Sequence, residues 1–489
     1  MVPSLFPEIY DIKDFIQARN YPVIHPDSFQ YSEYWSKEEK KCLEGFWGKD
    51  FRDGKGGYRY ASGPLYFYVN YAIIADEDEK GKTTANIIPK LRDVEWIVFY
   101  GWLVANGFSG FMDDDEYTCN LVVKKIETGV ELSPKEKIEF DKLKHLKKED
   151  GSYKTYIDPI EYLYQTFEKP LGLPIYDNPA KDFMWLASRS LGKSNSTAGI
   201  LAHVFTFFGK KYYDDEYIYS PAGIEIAVGS AQVTKSTELL KKMSSILENL
   251  KTGPGSYGKH ESFIPGYFYL STSGSMSPSN KSPFRHEYQI KEGGTWVTKG
   301  TGTKLVHVAW GDNAEAAVGG RYQVIACEEV GLADDILQIQ GANRATMIRR
   351  NKFGSCMYIG TAGNMEKITG SKIMFENPDS YDLVEYKDIW ENRMKPIGLF
   401  IPAYYRDNTF KDELGNTNIQ LAYEQELINR KGFESAQNSS ALDNYIMSNP
   451  LVPSEMFISG MSNVFPTAKL RELEAWMDTK NIFKTYASI

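Results

Sequence analysis

The stretch FMWLASRSLGKSNSTAGILAHVF, residues 183–205, decides the fold of this chain. It begins with five apolar residues, passes through a short turn that contains Gly-Lys-Ser, and continues as an apolar helix pattern. A strand, a phosphate-binding loop and a helix follow one another in this order in P-loop proteins, although Ala187 stands where their first glycine is usual. We therefore predict a nucleotide site here rather than an ordinary strand-to-helix turn.

The residue types of this loop match the needs of a bound triphosphate. Backbone N–H groups converge on the anion, and Gly192 permits close approach. The Lys193 ammonium reaches the β- and γ-phosphates, and the Ser194 hydroxyl binds Mg²⁺. The sequence thus predicts ATP and Mg²⁺ as ligands. The loop residues expected around the nucleotide are Ser188, Arg189, Ser190, Leu191, Gly192, Lys193 and Ser194.

Strand-like and helix-like runs alternate on both sides of the loop. The apolar runs are FMWLA (183–187), IEIAVGS (224–230), KLVHVAW (304–310), YQVIACEE (322–329) and SCMYIGTAG (355–363). Such alternation is typical of a mostly parallel sheet covered by helices on both faces. We predict an α/β fold of the P-loop NTPase (ASCE or RecA-like) class.

Paired glutamates end one of these strands. Because ligands bind beyond the carboxyl ends of parallel strands, Glu328 and Glu329 should lie near the phosphates. Glu328 is predicted to bind Mg²⁺, and Glu329 to orient and activate the attacking water as general base. Capping of a following helix is the alternative role for two acids at this place.

The next strand ends in YIGTAGN (358–364). Here Thr361 would lie beside the γ-phosphate and sense whether that phosphate is present. A simple strand-end turn that needs Gly360 and Gly363 explains the same residues, so both interpretations stay open.

The composition is that of a globular protein. The 489 residues are 42% hydrophobic and 25% charged, enough for two or three packed units. The 56 basic and 65 acidic residues give a net charge of −9, which argues against a protein coated in nucleic acid but allows a local basic patch. The four cysteines form no CxxC pair, and neither a signal peptide nor a membrane-spanning run is recognised, so no membrane partner is expected.

Together these motifs resemble the large terminase subunit, the ATPase of tailed-phage DNA-packaging motors. The specific part is an Arg-containing Walker A loop, a Walker B strand followed at once by Glu329, and the GTAG run. The likeness covers about residues 90–466. Flanking stretches that agree are LRDVEW (91–96), similar to the adenine-side motif, IAVGSAQVTKSTELLKK (226–242), and NPLVPSEMF with NVFP (449–466).

The resemblance implies a motor that translocates double-stranded DNA into a procapsid in the host-cell cytoplasm. Its implied partners are the portal protein, the small terminase subunit and further copies of the chain in a homo-oligomeric ring, expected to be a pentamer. It also assigns Arg92 to nucleotide binding. Arg189 in cis, or Arg321 acting on a neighbouring subunit, would stabilise charge on the transferring phosphoryl group. A structural surface arginine is the alternative for Arg321.

A core and a small lid subdomain are implied as well. We expect residues 1–90 to contribute to the lid, and residues 91–400 to form the ATPase core with a charged insertion at about 105–180. Residues 401–489 would supply the rest of the lid and a linker. Large terminases usually carry a nuclease domain too. No match to it is recognised, so nuclease activity is not expected from this chain.

Two other functions share these motifs. A superfamily-2 helicase or translocase would need a second RecA-like domain, and the best arginine-rich candidate, QGANRATMIRR (340–350), falls inside the first core. A nucleotide-regulated scaffold would not need a positioned base such as Glu329. Both remain alternatives to the packaging motor.

Overall fold

The structure is a computed structural model. It describes residues 2–16, 24–25, 27–52, 55–77, 83–105, 129, 131–134, 137, 181–207, 210–213, 216–219, 224–250, 268, 270, 272–274, 283–311, 313–333, 335–348, 354–361, 365–391, 393–435, 439–457, 473 and 476–477.

The residues before the phosphate loop form a layer of helices and short hairpins. Two of the helices are capped at their N-termini by serine, since the Ser28 and Ser62 hydroxyls accept hydrogen bonds from backbone N–H groups of the first turn. The second and third helices are buried on all sides, so their sequences are mostly apolar instead of amphipathic. In chain order the elements are α1 (Phe29–Glu44), β1 (Phe46–Arg52), β2 (Lys55–Ala61), α2 (Gly63–Tyr71), β3 (Ile74–Glu77), β4 (Thr83–Ile87) and α3 (Asp93–Ala105).

Strands and helices then alternate, as the sequence predicts. The elements are β5 (Phe183–Ala187), α4 (Lys193–Phe207), β6 (Lys210–Tyr213), β7 (Glu216–Tyr219), β8 (Glu225–Ser230), α5 (Val233–Asn249), β9 (Phe284–Arg285), β10 (Tyr288–Glu292), β11 (Thr295–Lys299), β12 (Lys304–Ala309), β13 (Val324–Glu328), α6 (Ile336–Thr346), β14 (Ser355–Gly360), α7 (Met365–Glu376), β15 (Leu399–Ile401), α8 (Ile419–Ser435) and α9 (Ser439–Ser448).

Seven of these strands form one central sheet in the order β15-β5-β14-β13-β8-β12-β9. All neighbouring pairs are parallel except β9 with β12. The strand of the phosphate loop, β5, is separated from the strand of the glutamate pair, β13, by β14 alone. An additional strand at this place is the mark of the ASCE class, so the predicted fold class is confirmed.

Apolar side chains cover both faces of the sheet. On β5, Phe183 and Trp185 face the cluster that contains α2, α3, α4 and α5, whereas Met184 and Leu186 face the cluster that contains α6 and α7. Strands β5, β13 and β14 are buried along their whole length. Buried parallel strands therefore read as continuous apolar runs, which is how the sequence reveals them.

The N-terminal segment packs against residues that follow β15. The Leu5 N–H donates to the Tyr405 hydroxyl (2.8 Å), and the Ile9 N–H donates to the Asn416 side-chain oxygen (2.7 Å). The lid and core boundaries stay a prediction. The predicted insertion at about 105–180 lies outside the described residues apart from residues 105, 129, 131–134 and 137. Within the described part of the chain, no helix is long and apolar enough to span a membrane.

Candidate nucleotide site

The phosphate loop joins the end of β5 to the start of α4. Two of its residues have left-handed backbone angles, Ser190 with φ 63° and Gly192 with φ 84°. Glycine adopts such angles freely, whereas serine does so at a cost that its surroundings must offset. The loop is also tied from outside, because the Arg189 N–H donates to the Ser448 carbonyl at the end of α9 (3.1 Å). The Arg189 side chain itself is exposed.

Lys193, the first residue of α4, turns its side chain back over the loop. Its ammonium donates to the carbonyl of Ser188 (2.6 Å) and to that of Ala187 (3.3 Å). Burial lowers the pKa of Lys193 to about 8, and the charges of Glu329 and Glu328 oppose that shift. An ammonium has three N–H donors, so two carbonyl partners leave one donor for an anion.

Ser194 and Glu328 face each other across the carboxyl edge of the sheet. The Ser194 hydroxyl donates to Glu328 Oε1 (2.7 Å), and the second carboxylate oxygen, Oε2, is buried without a hydrogen-bond partner among the described residues. Burial raises the pKa of Glu328 to about 7, although the Ser194 hydrogen bond lowers it. A buried oxygen without a partner is costly, and a hydroxyl beside a carboxylate is a donor set that Mg²⁺ accepts.

These two side chains therefore fit the predicted Mg²⁺ site. In the described ranges no group of three or more His, Cys, Asp or Glu side chains is arranged to hold a metal. The fit is thus to an ion that takes most of its ligands from substrate phosphates and water, as Mg²⁺ does in nucleotide sites.

Glu329 lies one residue beyond β13 in a left-handed conformation, with φ 53° and ψ 54°. It precedes a short 3₁₀ turn, Val330–Leu332, but its side chain makes no capping hydrogen bond there, so the capping alternative is wrong for Glu329. Instead, Glu329 Oε2 accepts a hydrogen bond from the Thr361 hydroxyl (3.3 Å).

Thr361 follows β14, so the structure brings it to the predicted base. The glycine before it also has a steric role, since a Cβ on Gly360 would lie 3.1 Å from the Val330 nitrogen. The steric need for glycine at position 360 agrees with the turn interpretation, and the role of Thr361 beside the γ-phosphate stays a prediction. Gly363 lies outside the described residues.

Arg92 lies immediately before α3 and next to the phosphate loop. Its guanidinium binds both carboxylate oxygens of Glu95, with Nε to Oε2 at 2.8 Å, and donates to the Asn408 side-chain oxygen (3.0 Å). A Cβ on Gly192 would lie 3.5 Å from Arg92 Nη2. The structure thus places this predicted nucleotide-binding cation beside the loop, fixed by partners on two segments.

Arg321 lies at the opposite end of the sheet. Its backbone N–H donates to the carboxylate of Glu225, the first residue of β8 (3.3 Å), and its side chain is exposed. Strand β13 separates Arg321 from Glu328, and five residues at about 3.3 Å each span roughly 16 Å. The structure therefore does not bring Arg321 to the site of its own chain, and action on a neighbouring subunit stays a prediction.

Sequence reasoning missed two contributors to this site. The Ser448 carbonyl binds the loop, but a backbone carbonyl leaves no signal in a single sequence. Lys242 lies on α5, and its charge lowers the pKa of Glu328. That lysine is part of the quoted stretch 226–242, where a cation on the helix after β8 was the available signal.

No protein-family model and no curated protein sequence matches the chain. Among solved structures it is similar to the large terminase of bacteriophage HK97, with 13% identity and a TM-score of 0.30, over 60% of this chain and 52% of that one. It is also similar to a mutant ATPase domain of the Thermus phage P74-26 large terminase, with 11% identity and a TM-score of 0.24, over 41% of this chain and 70% of that one.

Both structures are large terminases, the family that the sequence motifs resemble. The chain spans about half the length of the HK97 protein. At these identities and TM-scores the likeness supports no argument about activity.

Proposed function

We propose that this chain is the ATP-hydrolysing motor of viral genome packaging, a large terminase subunit that translocates double-stranded DNA into a procapsid. One observation carries the proposal. Ser194, Glu328, Glu329 and Thr361, which come from three separate stretches of sequence, meet at the carboxyl edge of an ASCE-type sheet beside the phosphate loop. A nucleotide switch needs only the loop, whereas hydrolysis also needs a base at the γ-phosphate.

The loop and its neighbours bind the triphosphate. The N-terminus of α4 points its backbone N–H groups toward the phosphates. Lys193 adds a positive charge, whose attraction to the phosphates is stronger in a buried site than in water, although burial lowers its pKa to about 8. Ser194 and Glu328 would hold Mg²⁺, which when bound neutralises charge on the β- and γ-phosphates. Arg92 adds a second cation next to Gly192.

Glu329 acts on the attacking water. The Thr361 hydroxyl binds Oε2 of the carboxylate, so the other oxygen can accept a hydrogen bond from water and take its proton. Because Thr361 also follows the strand next to β5, it links the position of the base to the position of the loop. In this role Thr361 couples the presence of the γ-phosphate to the orientation of Glu329.

The motor would work in an assembly. We propose a homo-oligomeric ring, pentameric by resemblance to large terminases, on the portal of a procapsid in the host-cell cytoplasm, with the small terminase subunit as a further partner. In that ring Arg321 would act on the ATP of a neighbouring subunit. Since the net charge is −9, DNA contacts would come from local basic patches.

The test is the ATPase rate of Glu329→Gln, with Glu238→Gln as a matched control on the exposed face of α5. We expect Glu329→Gln to bind a fluorescent ATP analogue with unchanged affinity and to lose about 10²–10⁴-fold in kcat, the usual contribution of a general base. Double-stranded DNA should stimulate the wild-type rate. Unimpaired turnover in Glu329→Gln would contradict the assignment of Glu329 as the general base.

The same preparation separates the rival functions. ATP-driven strand separation of a duplex would favour a helicase, although the described residues contain one large parallel sheet and not two. Slow hydrolysis that DNA and oligomerisation leave unchanged would favour a nucleotide-regulated scaffold.

A further inference from the structure

The backbone of Glu329 is held in a conformation that glutamate does not favour. Three described non-glycine residues have positive φ, and two of them, Ser190 and Glu329, belong to the nucleotide site. A left-handed conformation costs a non-glycine residue on the order of 1–2 kcal/mol, so it persists only where neighbouring groups fix it. The groups that fix Glu329 therefore decide where its carboxylate points.

The turn after Glu329 is fixed by two of its carbonyls, since the Glu329 carbonyl accepts the N–H of Leu332 (2.9 Å) and the carbonyl of Val330 makes two further contacts. The Val330 oxygen accepts the N–H of Ala333 (3.2 Å) within the turn. It also accepts the hydroxyl of Ser371, which comes from the middle of α7 (3.1 Å). From the other side, the Gly360 backbone lies so close to Val330 that a Cβ would be 3.1 Å from its nitrogen. Both lone pairs of the Val330 carbonyl are thus used.

The Ser371 hydroxyl is unusual for a helical serine. Serine inside a helix commonly bonds a carbonyl of its own preceding turn or points into water. Ser371 is completely buried, and its hydroxyl reaches across to a different segment. This contact adds no hydrogen bond within helix α7, so it stabilises the turn that carries Glu329.

We propose that Ser371 is a positioning residue for hydrolysis, which fixes the left-handed Glu329 peptide so that its carboxylate meets Thr361 and the attacking water. The inference rests on the proposed function, because Glu329 is the base there. It assigns α7, which follows the GTAG run, a part in the catalytic machinery without direct contact to ATP. The main-chain geometry of the base would otherwise relax toward ordinary helical or extended angles.

The test is Ser371→Ala in the full chain. We expect kcat to fall about tenfold, the factor that one hydrogen bond of ordinary strength supplies, while the affinity for a fluorescent ATP analogue stays within about twofold. Ser371→Thr keeps the hydroxyl and should recover most of the rate. If Ser371→Ala does not fold, Ser371→Cys keeps the volume with a weaker donor and carries the same expectation.

The matched control is Ser236→Ala. Ser236 is also a completely buried helical serine, and its hydroxyl bonds the carbonyl of Val233 (3.1 Å) and the ring of His307 (2.7 Å), away from Glu329. Its loss should lower the melting temperature and leave kcat unchanged. An equal loss of kcat in both variants would mean that a buried hydroxyl matters only for stability, and would overturn the proposal.

A double variant decides whether Ser371 acts through Glu329. In the Glu329→Gln background, Ser371→Ala should reduce the residual rate no further, since residues that act as a unit are not additive. A full tenfold loss in that background, or a wild-type kcat in Ser371→Ala alone, would overturn the inference. If Glu329→Gln itself stays active, the proposed function fails instead, so the two failures are distinguishable.

Discussion

The two edges of the central sheet treat their charged residues in opposite ways. At the carboxyl edge, Lys193 and Glu328 are buried, and burial moves both pKa values toward neutrality, to about 8 and about 7. At the amino edge, Lys304 pairs with Glu225 (3.2 Å) at the surface, where both side chains remain partly exposed. Strongly shifted groups cluster where chemistry is done, whereas exposed pairs contribute little.

Strand β13 separates two predicted site residues, one at each edge of the sheet. Strand β13 has Glu328 at one end, and Arg321 lies just before its other end. Residues at the carboxyl edge can therefore cooperate on one nucleotide within a subunit. An arginine at the amino edge can take part in hydrolysis only if it faces the nucleotide of a second copy. Four predictions test this division, from the largest expected effect to the smallest.

The largest effect is expected for Lys193→Ala at the carboxyl edge. The substitution removes the buried cation that faces the phosphates, so nucleotide binding should fall below detection, and turnover with it, a loss of more than about 10³-fold. Equilibrium binding of a fluorescent ATP analogue and steady-state ATPase assays measure both. Tight binding by Lys193→Ala would show that the loop holds phosphates without its ammonium.

Arg321→Ala should have an effect that depends on assembly. In a ring, loss of a trans-acting arginine is expected to cost about 10³-fold in kcat, whereas the dilute monomer should change by less than about twofold. Measuring the rate against protein concentration separates the two. Mixing Arg321→Ala with Lys193→Ala subunits should restore part of the activity, since each supplies what the other lacks. Equal loss at every concentration would contradict a role between subunits.

Glu328 should make Mg²⁺ affinity and stability move in opposite directions with pH. The metal needs the ionised carboxylate, so apparent Mg²⁺ affinity should fall about tenfold per pH unit below about 7, the pKa of this group. Burial raises the pKa of Glu328 in the folded chain from its ordinary value of 4.5 to about 7, so this carboxyl stabilises the fold at low pH, and that contribution is lost as pH rises through about 7.

Glu328→Gln should remove both dependences. Its melting temperature should gain on the wild type as pH rises from about 4.5 to above 7, because the variant has no buried charge to create. Mg²⁺ titrations monitored by nucleotide fluorescence, together with thermal melts across pH, measure the two slopes. A wild-type pH profile in Glu328→Gln would assign the titration to another group.

The smallest effect is expected at the amino edge. Lys304→Met breaks the surface pair with Glu225, and such pairs are worth about 0.2–1 kcal/mol. We expect a stability loss within that range by denaturant unfolding, and an unchanged ATPase rate in the dilute chain. A loss comparable to that of Lys193→Ala would mean that the amino edge contributes to the chemistry within a subunit.

Local features of the fold were predictable from the sequence because buried strands and helices require apolar residues, and runs of apolar residues are visible in the sequence. The run FMWLA coincides with β5, and the glutamate pair follows an apolar strand that the structure places at residues 324–328. The run KLVHVAW likewise contains β12, Lys304–Ala309. Parallel strands covered on both faces need uninterrupted apolar residues, so their positions can be read directly.

Long-range features could not be read in the same way. The position of β14 between β5 and β13 depends on how the connecting helices pack on the sheet. The residue types at positions 355–360 do not determine which strands pair with β14. The left-handed backbone of Glu329 could not be predicted either, because the Ser371 hydroxyl that binds the carbonyl of the next residue, Val330, comes from 41 positions further along the chain. The location of Arg321 at the amino edge became clear only with the end of β13 fixed.

The hydrogen bond between the Arg189 N–H and the Ser448 carbonyl has a thermodynamic consequence. It occupies a donor of the phosphate loop with one of the carbonyls that a helix C-terminus leaves unpaired. If triphosphate binding recruits that N–H, part of the binding free energy goes into releasing the end of α9. By reciprocity, any contact that holds α9 in place would then lower the affinity for ATP by some factor, and bound ATP would weaken that contact by the same factor. Occupancy of the phosphate loop and the position of the end of α9 would then be thermodynamically coupled.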